Sequence, residues 1–110
     1  MRTTIRVPYY RDELDPDRVK YFTASKKRVT AHLRNVAREL TRGESLDQLE
    51  REFPWFVRLS RHYLVHSGAI LRTRVRPGDN GWTRHYAVLE DQEVLISRRR
   101  VKEVLARVRG

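Results

Sequence analysis

Three stretches of the sequence predict an α+β fold. In residues 25–43, SKKRVTAHLRNVARELTRG, the apolar positions Val29, Leu33, Val36, Ala37 and Leu40 recur at helical spacing. Ser45-Leu46-Asp47-Gln48 is a capping-box pattern placed ahead of a second apolar run. Pro77-Gly78-Asp79-Asn80-Gly81 separates two alternating runs, the pattern of a β-hairpin. With 110 residues the chain is long enough for one domain around one modest core. The elements divide residues 1–110 into a strand arm at 1–24, a core at 25–90, and a closing strand and helix at 91–110.

Residues 1–10 read as a strand, because Ile5 and Val7 alternate with Thr4 and Arg6 before Pro8 closes the run. An acidic loop follows, with Asp12, Glu13, Asp15 and Asp17 around Pro16. It lacks the Gly and terminal Glu of a calcium loop and reads as a solvated turn. Val19, Tyr21 and Thr23 alternate with Lys20 and Phe22, which predicts a second short strand. Ser25 is suited to cap the long helix and Gly43 to stop it. The helix opened by Ser45 turns Leu46, Leu49 and Phe53 inward. Pro54, whose missing N–H is harmless at a first helical position, opens a third helix over 55–66. That helix would bury Trp55, Phe56, Leu59, Tyr63 and Leu64 and turn Arg58, Arg61, His62 and Val65 to the opposite side. In the hairpin, over 69–76 and 82–90, Leu71, Thr73 and Val75 share one face and Arg72, Arg74 and Arg76 the other. A short strand at 93–96 leads to a last helix, capped by Ser97, with Val101, Val104, Leu105 and Val108 on one stripe.

The charge pattern is the strongest functional signal. The chain carries 24 basic against 14 acidic residues, a formal net charge of +10. Such a surface attracts polyanions: nucleic acid, an acidic protein or an anionic membrane face. Lysine appears only at Lys20, Lys26, Lys27 and Lys102. Arginine suits bidentate contacts to phosphate and guanine, although a GC-rich genome or a hot habitat produces the same bias. Three segments, 25–43, 54–89 and 97–110, each hold six basic residues and one acidic residue. The sequence has no cysteine, which removes disulfides, thiolate metal sites and cysteine nucleophiles. No apolar run approaches a membrane span, and the N-terminus lacks a signal-peptide core, so the expected location is cytoplasmic.

The order long helix, short helix, helix, hairpin, final helix resembles a winged helix-turn-helix, over roughly residues 25–90. In that resemblance SLDQLEREF is the second helix, VRLSRHYLVHSGAI the recognition helix running into the wing, and RTRVRPGDNGWTRHYAVL the wing. The resemblance implies a winged-helix-like three-helix core with a β-hairpin, an N-terminal strand arm and a C-terminal helix. It also implies a partner, duplex DNA, with RNA as the alternative. The residues placed to contact nucleic acid are then Lys26, Lys27, Arg58, Arg61, His62, Arg72, Arg74, Arg76 and Arg84. The expected role is a small transcriptional regulator or mobile-element-encoded factor, with no cofactor and no metal. His62 and His66 have the spacing of a shared metal site on a helix, but no adjacent Glu or Cys completes a known pattern.

Two other classes remain open on the sequence. Residues 74–100 resemble the C-terminal strands of RelE-like ribonuclease toxins, which would give His85, Tyr86 and Arg84 roles in RNA cleavage. A non-catalytic interaction factor of viral or plasmid type is the third class. No nucleophile elbow, phosphate-binding glycine loop or dinucleotide fingerprint is present. The stripe of Val101, Val104, Leu105 and Val108 could join two copies into a homodimer or pack back onto its own chain.

Overall fold

In a computed structural model, which describes residues 5–6, 13–40 and 45–109, the stretch expected to be the long helix is two strands and a tight turn. Tyr21–Ser25 (β3) and Arg28–His32 (β4) pair as an antiparallel hairpin, and Ala37–Glu39 (β5) adds to β4. Val29 and Ala31 are buried while Arg28 is exposed and Thr30 and His32 are half-buried, an alternation of two. The helical stripe fails at its centre, because Val36 is 41% exposed. Residues 41–44, where the helix was expected to stop, lie outside the described residues.

The third expected helix is also two strands. Phe56–Arg58 (β6) and Tyr63–His66 (β7) pair antiparallel across a turn at 59–62. Phe56 and Leu64 join one core cluster, and Val57 and Val65 join another. Both faces of these strands are therefore covered, and a strand buried on both faces reads as a continuous apolar run that periodicity does not separate from a buried helix.

The five strands form one antiparallel sheet in the order β5-β4-β3-β7-β6. Its first face is closed by Leu46–Glu52 (α1). The cluster on this face centres on Phe22, Phe53 and Phe56, with the Phe22 and Phe56 rings 5.1 Å apart. Each of these fully buried rings contributes about 2–3 kcal/mol relative to exposure. Arg72–Pro77 (β8), Thr83–Val88 (β9) and Glu93–Leu95 (β10) form a second sheet in the order β10-β9-β8. Ala87, Val94 and Ile96 of this region meet Val57, Leu59 and Val65 in the second cluster, together with Val104 of the last helix, Val101–Arg109 (α2). Ile5–Arg6 (β1) pairs with Glu13–Leu14 (β2), so the expected N-terminal strand is seen at those two residues and its remainder lies outside the described residues.

The architecture is thus a five-stranded and a three-stranded antiparallel sheet, the small β1–β2 pair and two short α-helices among the described residues. This corrects the expected winged-helix-like three-helix core. Of the predicted elements, the second strand (as β3), α1, the β8–β9 hairpin, β10 and α2 are present. Ser45 caps α1 as expected, its hydroxyl accepting from the Gln48 N–H at 3.2 Å. Ser45→Ala should lower stability by about 1 kcal/mol in urea unfolding, because that N–H loses its partner. The stripe on α2 packs inside its own chain: Val104 is fully buried, and Val101 and Val108 pack on the same cluster. Arg107 fastens the helix by donating to the carbonyls of Phe56 and Pro54. The surface expected to join two copies is therefore largely covered from within.

Candidate nucleic-acid interface

Three turns from separate parts of the chain present cations side by side. The first is Lys26-Lys27, the two-residue loop of the β3–β4 hairpin. Both residues are exposed and have positive φ, 49° and 64°. A two-residue hairpin loop with this geometry favours Asn-Gly, and a side chain in this region costs roughly 1–2 kcal/mol per residue. Two lysines here keep charge at the tip at the expense of stability, as functional sites often do.

The second turn is Ser60-Arg61-His62, joined to the first by backbone and side chain. Ala24 N–H donates to the His62 carbonyl at 3.0 Å, and His62 Nδ1 lies 3.1 Å from the Ala24 carbonyl. With the proton on Nδ1, His62 Nε2 accepts from Arg61 Nε at 3.3 Å. The turn is braced from within by Arg58, which is 7% exposed. Its guanidinium donates to the carbonyls of Ser60 and Arg61 and pairs with Asp47 at 2.7 Å and Glu50 at 3.2 Å. The hydrogen bond from Arg58, reinforced by its charge, holds the Asp47 carboxyl below the usual carboxylate range.

The third turn, Arg98–Arg100, leads into α2 and is fixed to the second by Ser97 N–H donating to the Leu59 carbonyl at 2.8 Å. Arg100 turns to Glu50 at 3.3 Å. Arg99 is exposed and has no ion-pair partner among the described residues. Arg61, His62, Arg99 and Arg100 line one open hollow, and Lys27 and Arg61 line the next.

The remaining predicted contacts lie on the three-stranded sheet. Arg72, Arg74, Arg76 and Arg84 share its outer face, as the alternation implies. Arg74 and Arg76 both pair with Glu93, at 2.9 and 3.1 Å, and Arg84 lies 3.6 Å from Asp79. Three of these four arginines thus have an acidic neighbour, with two acids against four positive charges. The structure brings Lys26, Lys27, Arg61 and His62 together, puts Arg58 beneath them as a brace, and adds Arg99, which sequence reasoning left out of the set. The signal for Arg99 was the Arg98-Arg99-Arg100 run just before a helix. The ribonuclease trio does not converge: Arg84 and Tyr86 share one face of β9, and His85 faces the other. His66 is held at its strand end, with Nδ1 accepting from Gly68 N–H at 3.0 Å and Nε2 3.4 Å from Asp17.

A β-sheet scaffold with its cations on turns defines a class of nucleic-acid-binding module in which no helix need enter a groove. The family model of the LytTr DNA-binding domain matches residues 13–109, so this chain belongs to the LytTR family and is a DNA-binding domain. In general terms it is a transcriptional regulator with duplex DNA as partner. The fold is similar to that of a solved structure described as the LytTr DNA-binding domain of a methyl-accepting/DNA response regulator from Bacillus cereus. The two share 15% sequence identity with a TM-score of 0.73, over 96% of this chain and 94% of that one. No curated protein matches this chain. Family and fold together replace the winged helix-turn-helix reading. No helix among the described residues is long and apolar enough to cross a membrane.

Proposed function

We propose that this domain grips duplex DNA with Lys26 and Lys27, Arg61 and His62, and Arg99, as the DNA-reading part of a response regulator acting in the cytoplasm. The observation that carries this reading is the convergence of three hydrogen-bonded turns, each ending in exposed cations, at one side of the central sheet. Turns held this rigidly present charge with little ordering cost on binding. Lysine and arginine at the tips neutralise phosphates, and an exposed arginine can also read guanine edges in the major groove. The similar Bacillus cereus domain, described as part of a response regulator, supports the same role.

Selection from a randomised duplex pool, followed by anisotropy titration of the enriched sequence, tests the proposal. The enriched duplex should bind more tightly than a scrambled one, and affinity for both should fall steeply with salt. Failure to bind any duplex at low salt would remove the proposal.

The strained hairpin loop gives a prediction of opposite signs. Lys26→Asn with Lys27→Gly should raise stability by about 1 kcal/mol, because Asn and Gly accept positive φ more readily. The same change should weaken DNA binding about tenfold, because two phosphate-neutralising charges are lost. Urea unfolding and anisotropy on one preparation check both signs.

A further inference from the structure

A second basic feature adjoins the interface and is not part of it. Arg98 projects over the indole of Trp82, its guanidinium carbon 4.0 Å from the ring centroid. Trp82 is 58% exposed, an unusual position for the largest apolar side chain. The ring is placed by the hairpin turn: Gly78 N–H donates to the Trp82 carbonyl, and a Cβ at Gly78 would come within 2.7 Å of that oxygen. Glycine at 78 is thus needed for the chain to close tightly enough to set Trp82 opposite Arg98. Trp82, Arg84 and Arg98 line a hollow whose wall at Leu95 and Ser97 is also the wall of the hollow holding Arg61 and Arg99. The two basic hollows therefore adjoin at that wall, and Leu95 is 48% exposed on it. The one acid of the second hollow is Asp79, which is 93% exposed and 3.6 Å from Arg84, a weak solvated pair.

We infer that Trp82 and Arg98, with Arg84, form a flanking clamp on the DNA backbone that extends the footprint beyond the contacts of Arg61 and Arg99. This rests on the DNA-binding reading above. The indole holds the guanidinium by cation–π attraction, which limits its rotamer freedom and leaves its N–H groups directed outward. A phosphate in the second hollow would meet two arginines, and the exposed indole would pack on a sugar. Such contacts carry no base code, so they add affinity independently of sequence.

The test uses two duplexes carrying the same selected site. One is trimmed to the shortest length that retains binding; the other is extended by about ten base pairs, roughly one helical turn, on each side. The unmodified protein should bind the extended duplex more tightly. Arg98→Ala should lose about five- to tenfold on the extended duplex and reduce its salt slope by about one, with little change on the short one. Trp82→Ala should reproduce most of that loss, and Trp82→Phe should restore it, because phenylalanine keeps a ring face for the guanidinium. Unchanged affinity of Arg98→Ala and Trp82→Ala for the extended duplex, or equal losses on both lengths, would overturn the clamp. If Arg61→Ala and Arg99→Ala weaken binding while these variants do not, the clamp alone fails. If none of the four affects binding, the interface reading fails with it.

Discussion

Arg61→Ala combined with Arg99→Ala is expected to lower affinity for the selected duplex about 100-fold, the sum of two contacts of roughly 1.4 kcal/mol each. Both side chains are exposed, so the loss should come without a loss of fold. The two arginines sit on turns 59–62 and 98–100, which are tied by the Ser97 to Leu59 hydrogen bond at 2.8 Å. The salt slope should become shallower by about one to two, according to how many of the contacts are to phosphate. Anisotropy titrations over a salt series, with circular dichroism as the control for folding, decide the outcome. Wild-type affinity in the double variant would refute the assignment of these turns.

Arg58→Ala is expected to destabilise the fold by about 2 kcal/mol, because a buried guanidinium that donates to two backbone carbonyls is lost. The guanidinium is 7% exposed and serves Asp47, Glu50 and the carbonyls of Ser60 and Arg61 at once. Its removal takes that donor from Asp47 and the two carbonyls, while Glu50 keeps Arg100, and it frees the turn that carries Arg61. DNA affinity should fall too, although Arg58 itself lies beneath the surface. The effect depends on pH in a definite direction. Arg58 lowers the Asp47 carboxyl below its ordinary value. The resulting stabilisation is complete above the unfolded carboxylate pKa and is lost as pH falls through the lower folded value. The deficit of Arg58→Ala should therefore narrow as the solution is acidified below about pH 4. A deficit that stays constant or widens on acidification would show that the Arg58–Asp47 pair contributes nothing.

The elements legible in the sequence were those whose signals are local. Ser45 and Gln48 mark the start of α1 because the capping hydrogen bond spans three residues. The β8–β9 hairpin follows from a Pro-Gly-Asp-Asn-Gly turn between runs whose alternation survives in the folded register, Arg74 opposite Tyr86 and Arg76 opposite Arg84. The C-terminal helix follows from Val101, Val104, Leu105 and Val108. The net charge of +10, with its basic segments, points to a polyanion independently of the fold.

Tertiary pairing decided the rest. Residues 25–43 satisfy a helical stripe on paper, but Val29 and Ala31 also satisfy an alternation of two, and partners far along the chain selected the second pattern. Phe22 and Thr23 pair with Leu64 and Tyr63, some 40 residues away, and no local propensity encodes that choice. Residues 56–57 and 63–65 are short apolar runs because both faces of β6 and β7 are covered, one toward Phe22 and Phe53, the other toward Ala87 and Val104. The same pairing drew Arg58 inward as a brace and set Arg61 beside Lys27 and Arg99. The sequence by itself determined the charge of the surface and the elements closed by short-range hydrogen bonds. Which cations share a surface depended on contacts between distant strands, whose stabilisation comes from burial on both faces and is invisible to a pattern read one segment at a time.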